Sequence, residues 1–482
     1  MRHWGIAALA AVLLGWSGLT RGTEPSPAPE SPDKRFASAE KLYKESNYAE
    51  ALTAFSELCL DSSAASKAFL IDTAFSRIIE TQQRLDRLQE FDALLEKIVA
   101  ARANDGRALA ASSRACLSVN HWGYRIAGQF ERGGHRGGGE WVTSEERDRV
   151  RAIQLALAAL AHLPQTDPES ERLIALQALD YALQYNRSDG YAWRLQVKTD
   201  LTALPDYGDR HGSTTQGAPV TESGEPLYYH IPESFDSAAS DGERWRWCME
   251  EQAKQSSSSR AWMDFRFAQF LKNQFDVQTM QQFGGRPGRG QSTTADTPDE
   301  SGPYAVHTLK ENETIARLAT GVKRFTLPDE FNFIRIFRTL ADDSANTGYA
   351  QNALQELAGS FENRRQYPAA AECWKRIMTL NDAQQTGWQY VNARKRLDQI
   401  VLPWGRFEPV MTQPAGQGAT VGFRFRNGAK AEFTAHAIDI EKLLTDVKNY
   451  VKHGSTADDA VKTSAATQRD LAKNANLEWE QL

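Results

Sequence analysis

Apolar side chains recur at helical spacing near both ends of the chain. Between residues 37 and 60 most of them lie three, four or seven positions apart, and the pattern breaks at Ser46. This spacing predicts two short helices joined by a tight turn. A matching pattern occupies residues 358–377, where Tyr367 corresponds to Tyr48. The chain therefore carries two copies of a predicted helix pair.

Each predicted pair also has a large apolar residue one heptad after its tyrosine. Phe55 follows Tyr48 at this distance, and Trp374 follows Tyr367. Residues that keep to one face of a helix pair are usually buried between the helices. We expect these four side chains to be packing residues and do not assign them to a ligand.

These features resemble the tetratricopeptide repeat, a helix pair with small residues where the helices cross and a tyrosine after the turn. The match is fullest over residues 42–52, although Ser46 stands where that family often has glycine and no proline follows Leu60. A third, degenerate unit is expected over residues 172–197. The resemblance implies a stack of helix pairs, since one pair cannot bury its own apolar face. A generic helical hairpin is the alternative.

Beyond residue 402 the pattern changes from helical spacing to the alternation typical of strands. Residues 419–426 and 430–438 alternate on either side of Asn427-Gly428, which predicts a β-hairpin across that turn. Apolar residues over 440–451 predict an amphipathic helix that covers the hairpin. The expected fold class is therefore mainly α: a tetratricopeptide-like helical-repeat array with a small C-terminal β-hairpin plus helix unit.

A second resemblance rests on Trp404-Gly-Arg-Phe-Glu-Pro, Gln413-Pro-Ala-Gly, Arg424-Phe-Arg-Asn-Gly and the earlier residues 240–247. These segments are similar to the leader region of large secreted bacterial proteins of the α2-macroglobulin-like class. In that class a helical leader precedes an array of β-sandwich domains and, in some members, a Cys-Gly-Glu-Gln thioester. This chain has no thioester motif, so we do not expect covalent trapping of proteases. The resemblance implies an alternative function as a truncated or split N-terminal module of a peptidase inhibitor.

The first residues have the pattern of a secretory signal peptide. Arg2 and His3 give a positive start, an apolar stretch covers residues 5–19, and small polar residues follow. No cysteine follows the apolar stretch, which argues against a lipoprotein anchor, whereas the poor cleavage site leaves an uncleaved anchor open. We expect an exported protein of the periplasm, cell envelope or extracellular space.

Composition narrows the function classes without selecting one. The 482 residues are 41% hydrophobic and 24% charged, as in ordinary globular proteins, and the formal net charge is −6. This balance argues against a dedicated nucleic-acid binder. Arginines alternate with aromatic residues over 243–280, which suits either a base-stacking platform or a buried core, and the acidic chain favours the core. No apolar run after the leader reaches the roughly 20 residues of a membrane-spanning helix.

These patterns together predict the organisation of the whole chain. The expected segments are a signal peptide at 1–22, a Pro-rich linker at 23–35, an N-terminal helical repeat region at 36–204, a loop at 205–240, a second helical region at 241–402 with a repeat near 350–382 and a disordered loop near 284–303, a small α+β unit at 403–454, and a polar tail with a weak helix at 455–482.

Four cysteines, Cys59, Cys116, Cys248 and Cys373, lie far apart beside apolar neighbours. Buried thiols are the favoured interpretation, because free cysteine behaves as a small apolar side chain. In an oxidising compartment, two disulfides with three possible connectivities remain open.

A search for catalytic motifs nominates no site residue. The sequence after the leader lacks Gly-x-Ser-x-Gly, His-Glu-x-x-His, the phosphate-binding Gly-x-x-x-x-Gly-Lys-Ser/Thr and Cys-x-x-Cys. The glycine-rich residues 133–139 are interpreted as a flexible loop. The scattered histidines, each interpreted as a surface or core residue, are His121, His162, His230, His307 and His436.

The sequence therefore predicts an exported, non-enzymatic helical-repeat scaffold that binds a protein or peptide partner. No catalytic, cofactor-binding or metal-binding residue is assigned, and neither a cofactor nor a nucleic acid is expected. An envelope hydrolase with an unrecognised site is the third option, after the inhibitor module.

Overall fold

The computed structural model describes most of the chain after the predicted leader. It describes residues 30–62, 68–134, 136–164, 171–184, 192–208, 217–282, 305–343, 347–381, 385–409 and 413–453, the last without 415, 419, 435 and 436. The signal peptide, most of the Pro-rich linker, the loop near 284–303 and the tail at 455–482 lie outside these residues.

Helices dominate the described chain, which confirms the prediction of a mainly α fold. In order they are α1 (Pro32–Lys44), α2 (Tyr48–Leu60), α3 (Ala68–Arg84), α4 (Phe91–Ala101), α5 (Gly106–Ser118), α6 (Glu145–His162), α7 (Glu171–Leu183), α8 (Ala192–Leu195), α9 (Asp241–Ala253), α10 (Ser257–Phe275), α11 (Thr279–Gln282), α12 (Phe333–Asp342), α13 (Thr347–Asn363), α14 (Tyr367–Leu380), α15 (Trp388–Val401) and α16 (Ile440–His453).

The described strands form three small antiparallel sheets. They are β1 (Trp122–Ile126), β2 (Gln129–Arg132) and β3 (Glu140–Thr143) in the order β2-β1-β3, β4 (Glu313–Leu318) with β5 (Gly321–Thr326), and β6 (Trp404–Phe407) with β7 (Phe423–Arg426). The sequence did not predict the first two sheets. Their strands are four to six residues long, which is too short for alternation to stand out.

The two predicted helix pairs are confirmed as α1–α2 and α13–α14, and their turns have the same geometry. Ser46 and Arg365 both adopt the left-handed conformation, with φ of 64° and 56°. In each turn the next residue donates its backbone N–H to a carbonyl five positions back, Asn47 to Leu42 at 2.9 Å and Gln366 to Phe361 at 2.8 Å. This is the Schellman arrangement, which satisfies carbonyls at the end of a helix.

The same turn follows α3, where the sequence pattern gave no signal. Asp86 has a φ of 56°, and Arg87 donates to Gln82 at 2.8 Å. The degenerate unit expected over residues 172–197 is less regular. Its first helix is α7, residues 185–191 lie outside the described chain, and α8 has four residues.

The boundary of the predicted linker is wrong at its C-terminal end. Helix α1 begins at Pro32, inside the segment expected to be a linker, and the Ser31 side chain caps it by accepting from the Lys34 N–H. Proline is favoured in the first turn because its missing N–H has no helical partner there.

The described residues divide into two compact units at Ile400. In the first unit, most helices pack on their neighbours in the chain, as in α1–α2, α2–α3, α5–α6, α6–α7 and α12–α13. A continuous apolar core extends from Ala39 on α1 to Ala393 on α15. Except for Trp262, the aromatic residues of α9 and α10 belong to this core or pack against it. Trp245 is 1% exposed, and its Nε1 donates to Asp180 at 2.9 Å. Their prediction as core residues is confirmed for Trp245, Phe265, Phe267 and Phe275, whereas Trp262 is partly exposed.

The second unit corrects the predicted β-hairpin. Asn427 does form a turn, with a φ of 56°, but β7 pairs with β6 rather than with residues 430–438. Trp404 lies opposite Arg426, and Phe407 lies opposite Phe423. Gly405 permits this pairing, because a Cβ atom there would lie 2.4 Å from the Phe423 ring. The Asn-Gly signal identified the turn but not the partner strand.

All four cysteines are buried and free. Burial raises the pKa of Cys59 to about 12 and that of Cys373 to about 11, and it raises the pKa values of Cys116 and Cys248 as well. The prediction of buried thiols is confirmed, and the two-disulfide alternative is not found. Among the described residues, no helix combines the length and apolar character that crossing a membrane requires.

Candidate functional site

The apolar face of α16 is the first candidate. It consists of Ile440, Leu443, Leu444 and Val447, which follow the i, i+3, i+4, i+7 spacing of a single helix face. These side chains are 49–66% exposed, so this face does not cover the hairpin as the sequence predicted. Asp439 caps the helix by accepting from the Lys442 N–H at 3.0 Å. A capped helix with an uncovered apolar face is a typical docking element for another protein.

The β6–β7 hairpin carries its own exposed aromatic side chains. Phe407, Phe423 and Phe425 share one face, and Phe433 packs on it with ring centroids 5.0 Å from Phe423 and 5.9 Å from Phe407. The phenylalanines therefore pack partly on one another, yet Phe407, Phe425 and Phe433 remain mostly exposed. Both described elements of the second unit thus present apolar surface.

A charged pocket in the first unit is the second candidate. We call it the α9–α12 pocket, a cavity of about 260 Å³ between α9, α10 and α12. Five charged residues line it: Arg246, Glu250, Arg260, Asp264 and Glu330. Met249, Met263, Phe267 and Leu340 form its apolar wall, and all four are buried.

Within the pocket, Arg260 and Glu250 satisfy each other. The two guanidinium nitrogens of Arg260 donate to the two carboxylate oxygens of Glu250 at 2.6 and 2.8 Å. This bidentate pair holds the pKa of Glu250 below its ordinary value. Asp264 has weaker support, since Arg260 lies 3.7 Å away, and burial raises the pKa of Asp264 above its ordinary value.

Arg246 is the least satisfied charge in the pocket. Its side chain is 9% exposed, and its guanidinium carbon lies 3.4 Å from the centroid of the Phe267 ring. Arg246 makes one hydrogen bond to a described residue, which Glu330 accepts at 3.4 Å. The buried Nε of Arg246 has no hydrogen-bond partner among the described residues. Burial outweighs the attraction of Glu330 and lowers the pKa of Arg246 to about 10.

A third cluster, around Asp148, combines residue types common in active sites. Asp148 accepts from Ser144 at 2.7 Å, from Arg132 at 2.8 Å, and contacts His121 Nδ1 at 2.8 Å. Burial alone would raise the pKa of Asp148, but these hydrogen bonds bring it below its ordinary value. Ser144 is fully buried and its hydroxyl also lies 3.2 Å from the His121 carbonyl, so no substrate can reach it. The cluster joins the β1–β3 sheet to α6 and is a structural feature.

The sequence nominated no site residue, and the two candidates show why. The pocket combines residues from 231 to 340, which no local motif could connect. The apolar face of α16 was visible in the sequence, but its exposure was not.

Of the four expected packing residues, Phe55 and Trp374 are buried, Tyr48 is partly buried, and Tyr367 is 44% exposed. The described residues contain no group of three or more His, Cys, Asp and Glu side chains that could hold a metal ion.

Comparison with known proteins gives no match to a family model, a curated protein or a solved structure.

Proposed function

We propose that this protein is an exported, non-enzymatic helical scaffold that binds a protein partner through its C-terminal unit. The apolar face of α16 is the observation that carries the proposal. Leu443, Leu444 and Val447 are about half exposed, although burial of such side chains is worth roughly 1.5–3 kcal/mol each. An amphipathic helix gains this free energy when its apolar face enters a groove on another protein.

The first unit supports this function as a rigid framework. Its helices pack around a continuous core, and its charged clusters are mostly paired within the chain, as in Arg132 with Asp92 at 2.6 Å and Asp148 at 2.8 Å. Stacks of helix pairs, which the sequence predicts for this chain, commonly present binding surfaces in scaffold proteins. The signal-peptide pattern of residues 1–22 supports export.

Affinity capture from a cell-envelope extract tests the proposal, with the chain from Thr23 onward as bait. We expect one saturable partner to be retained by this bait and lost from an L443E/V447E double variant. A K442E variant makes the same net change of charge on the opposite, polar face of the same helix and serves as the matched control. Circular dichroism of all three baits verifies that the helical content is unchanged.

Two outcomes contradict the proposal. One is an empty capture with the unaltered bait. The other is recovery of the same partner, at the same saturating concentration, by the L443E/V447E bait.

A further inference from the structure

The α9–α12 pocket has an unused cation. Arg246 carries five N–H donors, of which one reaches a described acceptor, and that contact to Glu330 is long at 3.4 Å. A buried charge without hydrogen-bond partners is costly, so native proteins usually compensate it fully. Compensation of buried arginines varies in this chain: Arg132 donates to Asp92, Asp148, Ser144 and the Asn120 carbonyl, whereas Nε and Nη2 of Arg364 have no hydrogen-bond partner among the described residues. What distinguishes Arg246 is that its deficit lies at a cavity that it lines.

Two carboxylates of the pocket are also incompletely paired. Glu250 is committed to Arg260, but Asp264 has only the 3.7 Å approach of the same arginine. Glu330 is partly exposed and meets Arg246 at 3.4 Å and His230 at 3.3 Å. Arg246, Asp264 and Glu330 thus line the cavity with long or incomplete contacts, which a ligand can supplement.

The remaining wall is apolar and adaptable. Met249 and Met263 are both buried beside the cavity, as are Leu340 and the Phe267 ring, and the more exposed Ile231 and Ile336 complete the apolar lining. Methionine side chains adjust to ligands of different shape because they are unbranched and polarisable. At about 260 Å³ the cavity lies just below the range of roughly 300–1,000 Å³ that holds drug-sized ligands, so a smaller ligand fits it.

We propose that the α9–α12 pocket binds a free α-amino acid with an apolar side chain. The carboxylate of the amino acid accepts hydrogen bonds from Arg246, and its ammonium group pairs with Asp264 and Glu330. The side chain of the amino acid packs on Met249 and Met263. A zwitterion presents one group of each sign, which matches the unused charges, and planar guanidinium groups bind carboxylates well. This site is separate from α16 and does not depend on the proposed binding of a protein partner.

Isothermal titration calorimetry of the full chain tests this proposal with L-leucine, L-methionine and L-phenylalanine. We expect saturable binding of at least one of them with one site per chain. The amide and the N-acetyl derivative of that amino acid, which lack the carboxylate and the ammonium group respectively, should bind at least tenfold more weakly.

Substitutions assign the binding to the pocket. Arg246→Gln and Asp264→Asn should each weaken binding at least tenfold. Arg335→Gln, at an exposed residue of α12 outside the pocket lining, should leave it unchanged. Asp264 is 42% exposed, so its variant remains informative if the Arg246 variant fails to fold.

Three results overturn the proposal. The first is no saturable binding of any of the three amino acids to the folded chain. The second is binding that survives both pocket substitutions. The third is equal affinity for the N-acetyl derivative, which would assign the site to a peptide C-terminus.

Discussion

At the scale of single residues, this protein is organised by arginines that cross-link distant segments. Arg132 joins β2 to Asp92 on α4, Arg266 pairs with Asp180 on α7, and Arg364 lies 3.7 Å from Asp276 although both are fully buried. These partners are 40 to 88 positions apart in the sequence. A sequence pattern records spacing within one element, so pairs of this kind could not be predicted from it.

The contact between α1 and α3 gives a pH-dependent test at this scale. The Tyr43 hydroxyl donates to Glu80 at 2.7 Å, and Arg77 donates to the same carboxylate at 2.8 Å. These bonds hold the pKa of Glu80 below its ordinary value of 4.5, and the bond from Tyr43 makes the largest contribution. We expect Tyr43→Phe to lower the free energy of unfolding at pH 7 by about 1 kcal/mol, since one partly exposed hydrogen bond is lost.

The sign of the pH dependence follows from this lowered pKa. The ionised Glu80 is stabilised in the folded state, so its contribution is present above pH 4.5 and lost as the pH falls through the folded pKa. The stability difference between Tyr43→Phe and the unaltered protein should therefore shrink below pH 4.5 in urea denaturation. Tyr48→Phe removes a hydroxyl that has no hydrogen bond to a described residue, so this variant should show no such change. For Tyr43→Phe, a constant stability difference at all pH values would contradict the assignment.

At the scale of elements, the sequence predicted helices better than strands. The period of apolar residues located α1, α2, α13 and α14 because each helix repeats it over three or more turns. The β1–β2 hairpin was missed because its turn is Ala127-Gly128, with φ of 47° and 82°, where asparagine-glycine would have given a signal. At Asn427-Gly428 the signal was present, but a local motif cannot show that β7 pairs with a strand 16 or more residues before it.

The shared turns of the helix pairs are a test at the element scale. Ser46 and Arg365 are exposed residues in the left-handed conformation, which is strained for residues other than glycine. We expect Ser46→Gly and Arg365→Gly each to raise the free energy of unfolding by about 0.5–1 kcal/mol, because the relief of strain exceeds the added freedom of the unfolded chain. Thermal and urea denaturation measure the effect.

The matched control is Glu45→Gly, one position before Ser46. Glu45 has a φ of −81°, where glycine brings no relief, so this variant should be destabilised by about 0.5–1 kcal/mol. A loss of stability in both turn variants would contradict the strain assigned to these positions.

At the scale of the whole molecule, the chain holds together without covalent cross-links. The cysteines lie one each on α2, α5, α9 and α14, and all four thiols are buried and free. Their pKa values are raised by burial, which disfavours the thiolate that oxidants and alkylating agents require. The apolar core therefore supplies the stability that disulfides provide in many exported proteins.

We expect a reducing agent to leave the melting temperature of the protein unchanged. Iodoacetamide should modify the native protein slowly and all four thiols after unfolding in urea, as counted by mass spectrometry. A lower melting temperature in reductant, or fewer than four modified thiols in the unreduced, unfolded chain, would show that disulfides contribute.

The packing of helices on their chain neighbours has a consequence for how the protein folds. Contacts such as α1–α2, α5–α6 and α13–α14 close short loops, and proteins rich in such local contacts fold fast. Each helix pair can form soon after its second helix leaves the ribosome, so the fold can grow in the order of synthesis. Under the proposed export, a chain that folds this early leaves little time for a secretion channel that accepts only unfolded polypeptides, so the timing of export would be under kinetic control.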